Sequence, residues 1–263
     1  AHIDHSWQNS QLFLILCGSS MSFMEHQVLG YQSPLYGRRT AQFKIHPFTF
    51  FETRAMCPSF SSEEQAILYG ITGGIPEYIS RISSNIVELF FTESGRLYEE
   101  PSNLLKQELR DPSTYNSVIG AIAGGASKMN EIATKAGIET GAASNLLQAL
   151  IELGIVRKEV PITEKESSRK TIYLLEDQMF RFWYRFVSPN ISGIVRGIGS
   201  IIYEKQVKPQ LNHYMGLVFE EICRQYLYLP QIIAEAPFIY SKSGRWWGNN
   251  PVEKRQEEIE IAA

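Results

Sequence analysis

Four polar side chains that could contact DNA bases lie on one face of a helix that the sequence predicts between residues 139 and 153. They are Thr140, Ser144, Asn145 and Gln148. Their helical spacing turns them to the same side. Hydroxyl and amide side chains form hydrogen bonds with base edges in the major groove. The pattern therefore predicts a recognition helix, with double-stranded DNA as its partner.

A polar loop that follows this helix carries three cations that could contact DNA phosphates. They are Lys165, Arg169 and Lys170. From Asp111 to Glu176, however, seven Lys or Arg residues stand against eight Asp or Glu residues. The module therefore lacks the general positive field that supplies most non-specific DNA affinity. Two interpretations stay open: the module contacts DNA, or it packs inside a larger assembly.

Three short helices and a β-hairpin are predicted around these side chains. The helices are expected at residues 115–124, 128–137 and 139–153, and the strands at 155–160 and 171–175. Gly137 is suited to a left-handed C-cap, and Gly154 ends the third helix. Five apolar residues of the third helix should form one buried stripe: Ala143, Leu146, Leu147, Leu150 and Ile151. This order of elements predicts a winged helix-turn-helix.

The composition describes an ordinary soluble protein. The chain has 263 residues, of which 44% are hydrophobic and 20% charged, enough for two domains. The net charge of −3 gives no general attraction to nucleic acid or to an anionic membrane. Three isolated cysteines without metal-binding spacing favour a reducing cytosol. No apolar run reaches membrane-spanning length and no signal peptide is recognisable, so a cytoplasmic protein without membrane contact is expected.

A continuous apolar run near the start of the chain, Leu12–Cys17, predicts a strand buried on both faces of a parallel sheet. It is followed by Gly18, Ser19 and Ser20. Small polar residues at the carboxyl end of a strand are where open α/β sheets place ligand contacts. The start of the chain is therefore expected to be part of an α/β domain.

Several motifs, in order along almost the whole chain, carry a resemblance to a known family. They lie at residues 14–20, 33–38, 69–78, 180–186, 214–223 and 244–248. Together with the winged helix, they resemble the later half of the prokaryotic, archaeal-type AAA ATPases. These relatives of the signal-transduction NTPases carry a winged helix and a C-terminal domain of unknown function 234. The resemblance implies ATP and Mg²⁺ as cofactors of the complete protein.

The resemblance also implies roles for individual residues. Ser19 and Ser20 would end the sensor-1 strand, facing the γ-phosphate or the attacking water, and Arg38 would sense phosphate or act as a finger. An arginine suits that task because its planar fork can bind phosphate oxygens bidentately. Gly74 and Pro76 would belong to the lid element whose proline packs on adenine. Simpler interpretations stay open: a helix cap for Ser19, and a plain turn at Gly74.

The sequence departs from the family at the phosphate-binding half. It contains no Gly-x-x-x-x-Gly-Lys-[Ser/Thr], and no apolar strand ending in paired acids precedes Leu12. We therefore expect an N-terminally incomplete ATPase. On this interpretation the 263-residue chain itself neither binds ATP tightly nor hydrolyses it.

Three carboxylates near the end of the chain are the candidate metal ligands. Glu258 and Glu260 share one face of a predicted strand, and Glu220 lies on a predicted helix. The resemblance implies a PD-(D/E)XK nuclease-like core in which such acids bind Mg²⁺. The Glu-x-Lys strand that would complete this core is absent, so an inactive site is expected. The alternative is that Glu258 and Glu260 merely keep an exposed strand face soluble.

An aromatic segment between Asp177 and Val187 has two interpretations. It contains Phe180, Phe182, Trp183, Tyr184 and Phe186, with Arg181 and Arg185 interleaved. Aromatic and arginine side chains together can stack on nucleic acid bases. The favoured alternative is a core helix whose arginines reach the surface.

These observations predict a multidomain, helix-rich α/β protein. Its parts would be the end of a P-loop NTPase domain at 1–55, a helical lid at 56–110, a winged helix at 111–177 and a partial nuclease-like domain at 178–263. The expected function is a nucleotide-dependent switch. The alternatives are a winged-helix DNA-binding regulator and a metal-dependent DNA nuclease. A homo-oligomer is left open.

Overall fold

The computed structural model describes residues 5, 7, 10–18, 24–33, 35–82, 85–109, 111–250 and 252–263. Within the described residues, one π-helical turn at Met24–Val28 and five helices precede the winged helix. They are α1 Phe50–Met56, α2 Ser62–Thr72, α3 Pro76–Arg81, α4 Ile86–Phe90 and α5 Glu100–Glu108. Ser61 caps α2 in a reciprocal capping box with Glu64, as the Ser-x-x-Glu spacing predicts.

The middle of the chain folds as the predicted three helices and hairpin. The elements are α6 Pro112–Ala123, α7 Met129–Ala136, α8 Thr140–Glu152, β1 Val156–Glu159 and β2 Ile172–Leu175. The two strands pair antiparallel, with Val156 opposite Leu175. Gly137 and Gly154 take φ angles of 70° and 73° and end their helices in the left-handed conformation, which a side chain would disfavour. The winged helix-turn-helix prediction is confirmed.

The rest of the chain consists of short helical segments, one long helix and a second hairpin. The segments are α9 Gln178–Phe182, α10 Ile191–Val195, α11 Gly199–Ile202, α12 Leu211–Leu227, α13 Pro230–Glu235, β3 Gly244–Asn250 and β4 Arg255–Ala262. The strands β3 and β4 pair antiparallel, with a bulge between Gly244 and Trp246. None of the helices in the described ranges is long and apolar enough to cross a membrane.

Two prolines, Pro189 and Pro209, would be expected to end helices, but both lie within longer helical runs. After α9 the backbone widens into a π-helix, Trp183–Val187, and then tightens into a 3₁₀ turn, Ser188–Asn190. The same pattern follows α11, with a π-helix at Tyr203–Val207 and then a 3₁₀ turn at Lys208–Gln210. Proline lacks an N–H donor and clashes with the carbonyl four residues earlier. Changing the hydrogen-bond pattern around it lets the helical direction continue.

One hydrophobic core extends from Phe50 to Ile222 and joins the early helices, the winged helix and the C-terminal region. The aromatic segment lies at its centre: Phe180, Phe182, Trp183, Tyr184 and Phe186 are all buried. The Trp183 indole N–H donates to the Tyr98 carbonyl, 2.7 Å away. The core-helix interpretation of this segment is therefore confirmed, since bases could not stack on buried rings.

The buried parallel strand that the sequence predicts at Leu12–Cys17 is not present. These residues form no strand, and the side chains from Leu12 to Leu16 are 47–83% exposed. Both sheets found in the described part of the chain are two-stranded and antiparallel. A buried strand needs neighbouring strands to pair its backbone, and none of the strands in the described residues pairs with this run. The described residues are thus helix-rich, with two small antiparallel sheets. The P-loop NTPase part and the nuclease-like part stay predictions.

Candidate nucleic-acid interface

The helix α8 buries one face and exposes the other. Ala143, Leu147 and Leu150 are at most 1% exposed and pack into the winged-helix core. The four predicted DNA-contacting residues are all exposed: Thr140, Ser144, Asn145 and Gln148. Gln148 donates to the Glu152 carboxylate, 3.0 Å away. The apolar stripe therefore fixes the helix so that a polar face is available to a partner.

The tip of the wing presents its cations to solvent, but one of them is already paired. Lys165, Arg169 and Lys170 are exposed, and the Lys170 Nζ lies 2.8 Å from the Glu164 carboxylate. An exposed pair of this kind contributes little to stability, yet it offsets one positive charge. Lys165 and Arg169 have no ion-pair partner among the described residues, so these two cations are the ones free to meet phosphates.

The base of the wing is attached to the C-terminal hairpin and to α12, an arrangement that we call the wing contact. The Ile162 N–H donates to the Arg245 carbonyl at 2.8 Å. Glu159 lies 3.8 Å from Arg224 and 3.9 Å from Arg245. Arg157 lies 3.8 Å from the Glu221 carboxylate and 2.8 Å from that of Glu176. The wing contact consists of these residues: Arg157, Glu159, Ile162, Glu221, Arg224 and Arg245.

The sequence analysis did not predict the wing contact. Residues that are more than about 60 positions apart meet there, and Arg157 and Glu159 are an ordinary alternation of charge along a strand. The only usable signal is that Arg245 stands within an aromatic strand, next to Trp246, where a charge is unusual. Its partner could not have been chosen from spacing alone.

Arginines lie beside two of the predicted carboxylate ligands, Glu220 and Glu258. Glu220 lies 3.5 Å from Arg224 and 3.7 Å from Arg245, and Arg245 also pairs with Glu258. The pKa of Glu220 is raised above its usual value, mainly because the carboxyl group is partly buried. Arg245 lowers this pKa, and the charge of Glu260 raises it. The described residues contain no group of three or more side chains placed to hold a metal. The grouping of Glu220, Glu258 and Glu260 around Mg²⁺ stays a prediction, and Arg245 contacts both Glu220 and Glu258 in this structure.

Of the predicted nucleotide residues, Ser19 and Ser20 lie outside the described residues, and Arg38 is exposed in a turn. Gly74 has a φ of 77°, and its carbonyl accepts from the Phe48 N–H at 2.9 Å. A Cβ at Gly74 would lie 2.0 Å from the Phe48 oxygen. Pro76 then begins α3 and is exposed. The turn is thus shaped by its contact with Phe48, and its role toward adenine stays a prediction.

Comparisons with known proteins match two parts of the chain, the winged helix and the C-terminal region. Residues 183–263 match the domain of unknown function 234, described as archaeal and bacterial proteins of unknown function. Residues 117–160 match the IclR helix-turn-helix domain. An uncharacterized protein of Methanocaldococcus jannaschii is 34% identical over 265 residues, which is 99% of this chain and 58% of that protein.

The chain therefore spans little more than half the length of this curated relative. No solved structure matches this chain. The family matches fall on the winged helix and on the C-terminal region, the two parts that the wing contact joins. The chain thus combines a helix-turn-helix module with a C-terminal region similar to an archaeal and bacterial family of unknown function.

Proposed function

We propose that the chain binds double-stranded DNA through α8 and the tip of the wing. The observation that carries this proposal is the division of α8 into a fully buried apolar face and an exposed polar face. An α-helix fits the major groove, where amide and hydroxyl side chains meet base edges. The similarity of residues 117–160 to a helix-turn-helix domain supports the same use.

The interpretation of the winged helix as an internal packing module applies to a different part of it. The base of the wing is packed on the C-terminal region, whereas the outer face of α8 is exposed. One module can therefore be anchored inside the protein and still present its recognition helix. Its affinity should depend on few phosphate contacts, since its cations are few and partly paired.

Replacing both Asn145 and Gln148 with alanine should weaken binding to a specific duplex by roughly 30-fold or more, because each well-placed base contact contributes about 1–3 kcal/mol and two are removed. Fluorescence anisotropy against a duplex selected from a random library measures this. The matched control replaces Asn103 and Gln107, an exposed pair on α5, and should bind like the wild type. Equal affinity in all three proteins would remove α8 from the interface.

The finer part of the proposal concerns the complete protein, which would be a nucleotide-dependent switch. In it, residues 1–55 would end an ATP-binding domain, 56–110 would form a lid, and the winged helix and the region 178–263 would respond to nucleotide state. The motif resemblance supports this proposal. Of the residues implied by this resemblance, the structure describes an exposed Arg38 and the turn at Gly74 packed on Phe48. By themselves, these two features do not form a nucleotide-binding site. No hydrolytic step is assigned to them.

In the complete protein, Arg38→Ala should lower ATP hydrolysis by about 10³-fold or more, because a finger arginine stabilises charge on the transferring phosphoryl group. A phosphate-release assay measures this, with circular dichroism to compare the folds. Arg39→Ala is the control, since the neighbouring exposed arginine is not assigned to phosphate. Turnover that stays unchanged in Arg38→Ala would take this residue out of the site.

A further inference from the structure

The wing contact has a backbone component that does not depend on side-chain charge. The Ile162 N–H donates to the Arg245 carbonyl at 2.8 Å, so the chain just after β1 is hydrogen-bonded to the first half of β3. Gly244 lies close to the same residue, and a Cβ there would be 3.6 Å from the Ile162 Cβ. The hairpin of the C-terminal region is therefore in direct contact with the segment that leads into the wing tip.

The charges in the wing contact are largely removed from solvent. The side chains of Glu159 and Arg245 are each 12% exposed, and that of Arg224 is 15% exposed. Charges with so little solvent interact strongly, and removing one partner leaves the other buried and uncompensated. Arg245 is shared, because it faces Glu159 on the wing and both Glu220 and Glu258 in the C-terminal region.

Several polar atoms of the wing contact have no hydrogen-bond partner among the residues that the structure describes. These buried atoms are the Nε of Arg157, Arg224 and Arg245 and one carboxylate oxygen of Glu159. The ion pairs of Glu159 are 3.7–3.9 Å long, which is beyond hydrogen-bond length. Charge, and not a fixed hydrogen-bond geometry, therefore holds this part together. These ion pairs of Glu159 can therefore shift without breaking a specific hydrogen bond, whereas the backbone hydrogen bond between Ile162 and Arg245 is the fixed part of the wing contact.

We propose that the C-terminal hairpin sets the position of the wing, with Arg245 and Glu159 as positioning residues. A rearrangement of the C-terminal region is then passed to the wing tip, which carries Lys165 and Arg169. This inference rests on the proposed DNA-binding function, because it gives the C-terminal region control over phosphate contacts of the winged helix. Neither residue touches DNA itself.

Amide hydrogen exchange of the whole chain tests, without DNA, whether the C-terminal hairpin keeps the wing in position. In Arg245→Met, which keeps an unbranched flexible side chain and removes the charge, the Ile162 amide and residues 163–170 should exchange at least 10-fold faster. Arg245→Lys should restore part of the protection. The control is Arg255→Met, whose side chain is 66% exposed in the same hairpin, and it should exchange like the wild type. Glu159→Gln serves as a second variant if Arg245→Met unfolds.

Duplex binding at several salt concentrations tests the connection to DNA. Each lost phosphate contact lowers the slope of log K against log salt by about 0.9. In Arg245→Met, the magnitude of this slope should therefore fall by up to about 1.8 if Lys165 and Arg169 both leave the duplex. In Arg255→Met, the slope should not change.

Unchanged Ile162 protection in Arg245→Met and Glu159→Gln would overturn the hold on the wing. Faster exchange with an unchanged salt slope would overturn the control of DNA contact. A wild type that binds no duplex at low salt would overturn the proposed function and the DNA part of this inference, while the exchange experiment still decides whether the hairpin positions the wing.

Discussion

Phe182→Ala should lower the free energy of unfolding by about 3–5 kcal/mol, the usual cost of removing a large aromatic ring from a core. Phe182 is 0% exposed. Its ring centre lies 5.0 Å from that of Phe90, 5.3 Å from that of Phe186 and 5.8 Å from that of Tyr214. The substitution therefore leaves a cavity where α4, α9 and α12 meet. Urea denaturation followed by circular dichroism measures the loss.

Phe219→Ala is the matched control for this substitution. Phe219 is the same residue type, lies on α12 and is 64% exposed, so its removal should change stability by no more than about 0.5 kcal/mol. A loss that is the same for both variants would mean that the aromatic segment is not the centre of the core. A small loss in Phe182→Ala alone would mean that the surrounding rings close the cavity.

Gly74→Ala should destabilise the fold by about 3 kcal/mol. Two effects add at this position. A side chain is disfavoured at a φ of 77°, which costs about 1–2 kcal/mol. The new Cβ would also lie 2.0 Å from the Phe48 oxygen, so the hydrogen bond between Phe48 and Gly74 must be displaced, at a further cost of about 1 kcal/mol. Thermal denaturation gives the size of the change.

Gly141→Ala is the control for this backbone effect. Gly141 lies in the first turn of α8, and a Cβ there would meet nothing within 4 Å. Alanine should stabilise the helix by up to about 1 kcal/mol. If Gly74→Ala is as stable as the wild type, the turn before α3 does not have the conformation described, and its use in nucleotide contact loses its structural basis.

The winged helix was predictable because its determinants are local. Apolar spacing within α8 placed Ala143, Leu147 and Leu150 on the buried face, and Gly137 and Gly154 marked helix ends through their own backbone preference. The predicted bounds, 139–153, differ from the observed helix, Thr140–Glu152, by one residue at each end. Short windows of sequence contain all of this information.

The prediction at Leu12–Cys17 was wrong for the opposite reason. An apolar run of six states only that the segment would be stable if it were covered. Whether strands are available to pair with it depends on the rest of the fold, which no local window describes. The wing contact was missed for a related reason, because Glu159 and Arg245 meet only after the core has formed. The arginine contacts of Glu220 and Glu258 were not predicted either, since the position of Arg245 relative to Glu220 could not be read from spacing.

The exposed run at Leu12–Leu16 has a consequence for how the chain behaves in concentrated solution. Its backbone N–H and C=O groups form no strand pairs, and its side chains are 47–83% exposed. Short uncharged apolar segments without proline are typical of those that stack into cross-β assemblies. We therefore expect copies of this chain to aggregate through this run, while the winged helix and the hydrophobic core stay folded.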